Sequence, residues 1–440
     1  MTPKVPPAPL APREETDRRT DRRHLWKRFP ALQSFQYRDF RWLWLGTATS
    51  FMALTMQQIT RGWLILRLTD DSPFALSLVM VSFALPLTFA SLLGGVLADR
   101  VARRQIIIMS QSGNAVMTFL LATLDITGLI QFWHLIVIGF VNGTLAAFNM
   151  PSRQSIISDI VPGKDLMNAI SLSSAGMNLS RVAGPALAGL LIIYLDTARV
   201  FYLIGCVYAT SAFLMATIRT ARPPAGRDSK SVTADILDGF KYAKGDPTLL
   251  GLVIMCLVPA LFGFPYIALV PAWAREALNA QADGLGLLMM AMGIGSLSGA
   301  LILASIRQLK RRGAFLMGNG FAWGLSVVIF SRCLSYSSAL PSLFLVGLMS
   351  AVFMSLNMTL LQLYSSDEMR GRIVSMAMMT FGIMPLSAVP FGAIAERIGT
   401  AESLEIGGLL LCLFLAVFFL PIRNSVKSPK KPPPHFAFKF

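Results

Sequence analysis

Charge is scarce in this chain. Asp, Glu, Lys and Arg together make up only 14% of its 440 residues, where a soluble domain carries about a quarter. Histidine is scarcer, with His24, His134 and His435 the full set. There is no His-Glu-x-x-His helix to hold a metal and no Gly-x4-Gly-Lys-Ser/Thr loop to cradle a nucleotide. No nucleophile lies beside a candidate base. These gaps argue against an enzyme, a metal centre, a cofactor and a built-in ATP motor. The four cysteines, Cys206, Cys256, Cys333 and Cys412, have neither metal-ligand spacing nor a secretory disulfide framework and read as packing residues. No carboxylate lies deep within an apolar run. Asp125, Asp196, Glu396, Glu402 and Glu405 fall near run ends, where solvated loop residues are the default, and His134 reads as a rim histidine. The opening 40 residues are polar and rich in Pro and Arg, unlike a signal peptide.

What fills the chain is apolar sequence, 54% of it. A bilayer core of about 30 Å needs roughly 20 apolar residues in a helix. Runs of that kind lie near 41–66, 74–98, 105–124, 131–151, 168–195, 200–218, 248–271, 283–305, 313–331, 340–363, 371–395 and 403–422. Strand-like alternation is absent, so these are expected to be helices. The net charge of +16 does not indicate nucleic acid, because the bases sit on short loops and tails between apolar runs, where anionic lipid is the natural partner. Lys and Arg concentrate in the tails and in every second connection, which places both termini of a multi-pass membrane protein in the cytoplasm. The expected parts are a disordered basic tail over 1–40, a six-helix bundle over 41–218, a cytoplasmic linker over 219–247, a second bundle over 248–422 and a basic tail over 423–440. Within the linker, Val232, Ile236, Leu237 and Phe240 would share one face of an amphipathic surface helix.

The halves repeat. A shift of 208 residues lays Asn149–Met150 on Asn357–Met358, Gln154 on Gln362, Asp159 on Asp367, Gly184 on Gly392, and Arg103–Arg104 on Arg311–Arg312. Repeated halves about a central site are the architecture of secondary transporters.

The turn GGVLADRVARRQ packs one acid and three bases into six positions between two apolar runs. It resembles motif A of the major facilitator superfamily, with Gly95, Asp99, Arg100, Arg103 and Arg104 on the pattern's positions and Ala102 where the pattern has Gly. RVAGPALAG, with Gly184 and Pro185, resembles the exporters' motif C. MQQITRGWLILRLTDDSPFAL and NMPSRQSIISDIVPGKDLMNAISL extend the likeness to the branch of enterobactin-type siderophore exporters and macrolide efflux proteins, over about residues 38–420. The resemblance implies an all-α membrane fold of twelve transmembrane helices in two pseudo-symmetric six-helix bundles. It also implies a gate in which Asp99 latches the inner rim with Arg153 as candidate partner, and a Gly184–Pro185 helix that swivels. The family's usual Arg in the fourth span is replaced by Gly139, so proton coupling rests on the likeness and on the pair Asp99 and Arg181.

Two bases lie well inside the apolar runs, Arg61 and Arg181, and such a charge needs a cavity or a partner. Both suit an anionic or phenolate-bearing substrate, with Gln57 and Gln58 beside Arg61 as neutral donors. Asn149 and Asn357 occupy equivalent places and would bond cargo or a neighbouring helix. The expected protein is a monomeric exporter of an amphipathic small molecule, working by alternating access and exchange with protons. An importer on the same fold and a non-transporting membrane receptor are the alternatives.

Overall fold

The computed structural model describes residues 30–100, 102–219, 240–306, 309, 311–366 and 369–425; the side chains of 30, 31, 89–101, 375, 378, 381 and 419 onward lie outside that description. Most of the linker, residues 1–29 and 426–440 of the tails, His24 and His435 therefore fall outside it, while residues 240–245 are helical. The tail expected to be disordered over 1–40 is instead helical over Pro30–Gln36 and again from Arg38.

The described chain is almost entirely helix: α1 (Arg38–Leu68), α2 (Pro73–Arg100), α3 (Arg103–Ile126), α4 (Phe132–Ile160), α5 (Gly163–Ala216), α6 (Pro247–Val258), α7 (Tyr266–Leu278), α8 (Ala282–Ser305), α9 (Arg312–Ser331), α10 (Tyr336–Tyr364), α11 (Arg370–Ile398) and α12 (Thr400–Ser425). A backbone surrounded by lipid must satisfy its polar groups internally, and helix is what long apolar runs allow. Among the described residues, eight helical stretches are long and apolar enough to cross a membrane. α1, with Gln57, Gln58, Thr60 and Arg61, is not among them, so its polar residues need protected surroundings.

Three local features depart from the expected runs. The fifth and sixth runs are joined by a single residue, Asp196, whose φ of 65° and ψ of 164° bend α5 into two arms. The elbow puts Thr197 beside Arg67, while Ala216 returns to Arg104 at the opposite rim. The seventh run is broken. Pro259 opens a wider π turn over Pro259–Gly263, closed by Phe264 N–H donating to Pro259 O at 2.9 Å, and the helix resumes as α7. The fourth run does not stop near 151: α4 continues through Pro151 to Ile160, placing Arg153 inside the helix.

Helix pairing follows two sets. α1 packs on α5, α2 on α4, and α3 on both α4 and α5, while α8 packs on α10 and α9 on both α10 and α12. The sets meet along α5–α8 and α2–α11. The 208-residue shift carries α2 onto α8, and the first arm of α5 onto α11, so these two joints are equivalent positions of one repeat. The rim bearing both chain ends is termed the near rim, and the one bearing the 69–72 turn the far rim.

Small residues set the α5–α8 spacing. A methyl at Gly189 would collide with Ala282 O, and one at Gly286 would come within 2.7 Å of Pro185 O. Pro185 has no N–H, so the Arg181 carbonyl lacks its usual partner four residues on. That carbonyl lies 3.3 Å from where a side chain on Gly293 would begin, a close approach that suits a weak Cα–H contact. The α1–α5 joint within the first set is different. Thr55 Oγ1 donates to Ser180 O at 3.0 Å, Ser180 Oγ to Ala48 O at 3.1 Å, and Trp44 Nε1 to Leu172 O at 2.8 Å. Gly184 belongs to this joint, since a methyl there would strike Thr55 Oγ1. Its repeat mate Gly392 instead approaches Ser77 and Pro73 of α2.

Candidate functional site

Successive helix residues are turned by about 100°, so exposure along α5 separates its faces. Leu179, Leu187, Leu190 and Tyr194 form one exposed apolar stripe, suited to lipid. Ile170, Arg181, Ala188 and Ile192 lie on the opposite side of the helix. On that side Ile170 and Arg181, toward the near rim, are exposed, while Ala188 and Ile192, toward the far rim, are buried. Along this face α5 thus passes from exposed to buried toward the far rim, with Arg181 the last exposed of the four. Gln58 of α1 is exposed although Gln57 and Ile59 beside it are buried, and it shares a helix face with Leu54 and Arg61.

Polar side chains of α1, α3, α4 and the second arm of α5 meet within the first set. Arg153 is buried, and all three of its guanidinium nitrogens are used. Nε donates to Asn149 Oδ1 at 3.1 Å, Nη1 to Thr47 Oγ1 at 2.7 Å and Nη2 to Ser50 Oγ at 3.2 Å. Gln111 Nε2 reaches the same Ser50 hydroxyl at 2.9 Å. Farther along α1, Gln57 Nε2 donates to Thr118 Oγ1 at 3.0 Å, and the Tyr208 hydroxyl donates to Gln57 Oε1 at 3.2 Å. Tyr208 stands within electrostatic reach of both Arg61 and Arg153. Arg61 differs from Arg153: its Nε and Nη2 are sealed from solvent with no hydrogen-bond partner. Both side-chain polar atoms of Asn142 are equally unpaired, as is Asn149 Nδ2. Sequence reading singles out Arg61, Gln57 and Asn149, but not Tyr208, Thr118 or Asn142, which are neutral residues inside apolar runs.

The equivalent place in the second set is built otherwise. Asn357 Nδ2 donates to Leu252 O at 3.1 Å and lies 3.0 Å from Cys256 Sγ, bonding α10 to α6. Asn357 therefore bonds a neighbouring helix, whereas Asn149 bonds Arg153 within α4. Cys256 and Cys333 are buried, Cys206 is exposed, and all four cysteines are free, consistent with packing roles.

At the far rim the two sets are tied together. Arg275 of α7 pairs with Asp71 at 3.0 Å and stacks over Trp63, 4.8 Å from its ring centre. Glu396 of α11 accepts from Ser72 Oγ at 2.9 Å and from Phe74 N–H at 3.4 Å, at the start of α2. A vestibule of about 810 Å³ lies there, lined by Trp63, Asp70, Asp71, Arg275, Glu276 and Glu396. Within each set, Asp125 is buried between Arg67 and Thr197, and Arg332 is paired with Glu402 and Glu405. These acids were expected to be solvated loop residues; Asp125 instead closes a buried network. His134 Nδ1 accepts from Gln131 N–H at 2.9 Å and caps α4.

At the near rim, Arg103 Nη1 contacts both Asp159 oxygens, at 2.9 and 2.8 Å, bonding α3 to α4. Arg104 donates to the carbonyls of Met215 and Ala216, a cation at a helix C-terminus, where the backbone dipole favours it. The side chains of Asp99 and Arg100, and the environment of Gly95, lie outside the described residues. Arg153, the expected latch partner, is engaged with Asn149, Thr47 and Ser50 as given above. Tyr37 donates to Asp165 Oδ2 at 2.6 Å, and burial together with that carboxylate pushes its phenol up to about 12.

A nearly all-helical body in two packed sets, with eight described stretches apolar and long enough to cross a membrane, is that of a transporter of the major facilitator type. The chain belongs to the family described as transmembrane secretion effector, whose profile matches residues 30–438. It is similar to the staphyloferrin A transporter of Staphylococcus aureus, 23% identical over 86% of this chain and 95% of that one. It is likewise similar to the multidrug efflux pump Tap of Mycolicibacterium fortuitum, 24% identical over 84% and 92% of the two chains. The enterobactin exporter EntS of Shigella flexneri is 24% identical over 77% of this chain and 81% of its own. The fold matches a crystal structure of the nucleoside transporter NupG, with a TM-score of 0.72 at 14% identity over 88% of this chain and all of that one.

Proposed function

We propose that the protein is a secondary active exporter that carries an amphipathic organic molecule, of siderophore or drug type, out of the cytoplasm by alternating access in exchange for protons. The chain crosses the bacterial inner membrane twelve times. Each arm of α5 counts as one crossing and α6–α7 together as another, giving six-helix halves over 41–218 and 248–422, with both termini cytoplasmic. The near rim is then the cytoplasmic one. The protein works as a monomer, with a small-molecule substrate, protons and the lipid bilayer as its partners.

The observation that carries this reading is the change along one face of α5, exposed at Ile170 and Arg181 and buried at Ala188 and Ile192. Such a gradient, with charged ties between the sets at the far rim, suits a carrier that receives cargo from the cytoplasm. The glycine-lined α5–α8 joint supports rocking of the halves, since small residues let helix backbones approach without interlocking side chains. The names of the relatives support export. In the opposite state, Gly95, Asp99, Arg100, Arg103 and Arg104 latch the inner rim. Arg153 ties α1 to α4, and Gly184 and Pro185 shape the moving helix. Arg61, Arg181, Gln57, Gln58, Asn149 and Asn357 line or support the cargo path.

Everted membrane vesicles test the reading. Uptake of candidate siderophores and dyes should rise with an imposed pH gradient and fall when that gradient is collapsed. An Asp99→Asn variant should insert normally and lose that uptake. Gradient-independent flux would refute exchange with protons, and wild-type rates from the variant would refute the latch.

A further inference from the structure

Buried Arg153 and partly buried Arg61 of the first set are not equivalent in what they still offer. Arg153 spends every guanidinium nitrogen on its neighbours. Arg61 leaves Nε and Nη2 without a partner. These two nitrogens form one edge of the guanidinium, the edge whose parallel N–H bonds match a pair of carboxylate oxygens. A charged donor pair sealed from water and unbonded is costly to leave so, and no described Asp or Glu is paired with it.

Helix register shows what faces this edge. α1 and α4 run in opposite directions and touch where Arg153 holds Thr47 and Ser50. Eleven residues toward the far rim on each helix, about three turns or 16 Å, Ser50 gives way to Arg61 and Arg153 to Asn142. Asn142 is buried, and both of its polar atoms are unpaired. Two unsatisfied polar side chains thus occupy matching positions on facing helices, one turn beyond the Gln57–Tyr208 hydrogen bond. The repeat adds a second, independent sign. Shifted by 208 residues, Arg61, Arg153 and Arg181 fall on Leu269, Leu361 and Val389, so this cationic lining belongs to one half alone.

We propose that Arg61 and Asn142 form a receptor for an anionic oxygen group of the cargo, a carboxylate or phenolate, with Arg61 gripping it side-on and Asn142 completing its hydrogen bonds. The receptor rests on the transporter reading above and refines it. Cargo enters from the near rim, passes Arg181, and seats its anionic end deep against the first half while its apolar body faces the second half. Neutral amphipathic molecules still enter but lack this anchor.

Titration of the detergent-purified full-length chain with 1-naphthoate and with its uncharged amide tests the receptor. A charge-assisted bidentate contact predicts that the wild type prefers the carboxylate by about tenfold or more. Arg61→Gln should erase the preference while leaving amide affinity within about twofold of wild type. Arg61→Lys, which keeps the charge and loses the paired edge, should retain part of it and guards against a folding defect in the glutamine variant. Asn142→Ala should reduce the preference without abolishing it. Equal affinities in the wild type, or an unchanged preference in Arg61→Gln, overturns the receptor. Cross-linking of an Asp71→Cys/Arg275→Cys pair separately reports whether the far rim opens during turnover. A rim that opens in a protein without anion preference removes the receptor and leaves the transporter, whereas a rim that never opens removes the transporter reading.

Discussion

An Arg153→Leu substitution would strand the Thr47 hydroxyl and Asn149 Oδ1 in a buried site, leaving Ser50 only its bond from Gln111. Losing such a network costs about 1–3 kcal/mol per group left unsatisfied. The variant should therefore unfold several degrees earlier in a detergent thermal-shift assay, and Arg153→Lys should recover only part of the loss. Near the membrane surface, Tyr37 follows the opposite logic to an ordinary ion pair. Its phenol is held up at about 12 by burial and by Asp165, above the unfolded value of about 10. The stability from this bond is thus fully present below about pH 10 and lost as pH rises through the folded value. Alkaline unfolding of Tyr37→Phe should lack that component. Arg61 and Arg181 were legible in the sequence because a base in an apolar run is conspicuous. Asn142 and Tyr208 were not, since a neutral polar residue in such a run carries no sign of whether a partner awaits it. The fourth run was expected to end near 151, just before Arg153, whereas α4 continues through Pro151 to Ile160.

Helices meet in this protein through two kinds of surface. α1 and α5 are fastened by hydroxyl and indole bonds to backbone carbonyls, whereas α5 and α8 touch through Gly189, Gly286 and Gly293. Gly286→Leu should wedge the latter pair apart. The expected result is a longer distance between spin labels placed at 70 and 281 on the far rim, with the α1–α5 contact unchanged. The apolar runs themselves were readable from their length, and the split of α5 from the polar residues near 196. The one-residue elbow at Asp196 was not, because a left-handed aspartate depends on the packing of both arms rather than on a local turn signal. The π turn at Pro259 escaped for a related reason: Pro259 and Pro265 announce a break, but the width of the turn is set by what packs around it, including Trp323 against Gly263.

At the 208-residue offset the described helices α1–α5 fall on α6–α12, while the charges they carry differ. The 208-residue offset was visible in scattered polar matches and holds in the order and placement of the helices. The far-rim ties were invisible, because Asp71 in a turn and Arg275 and Glu396 near the ends of two helices lie far apart in sequence, and each reads alone as a solvated rim residue. The Asp71–Arg275 pair is partly exposed on both sides, so its net value is about 1 kcal/mol or less. Asp71→Asn should shift the closed-to-open ratio of the far rim by only a few-fold, measurable as faster maleimide labelling of an Ala272→Cys reporter. Combining it with Glu396→Gln should shift the ratio further, since the two contacts lie on different helices.

The glycine contact between α5 and α8 behaves as a bearing rather than a weld. Glycine Cα–H groups face backbone carbonyls there, and no described side-chain hydrogen bond crosses that joint. Resistance to motion is then concentrated in the charged fastenings at the periphery, which dissolved ions can loosen. Salt added on the outer side alone should therefore act as an accelerator, hastening the swing without touching the cargo.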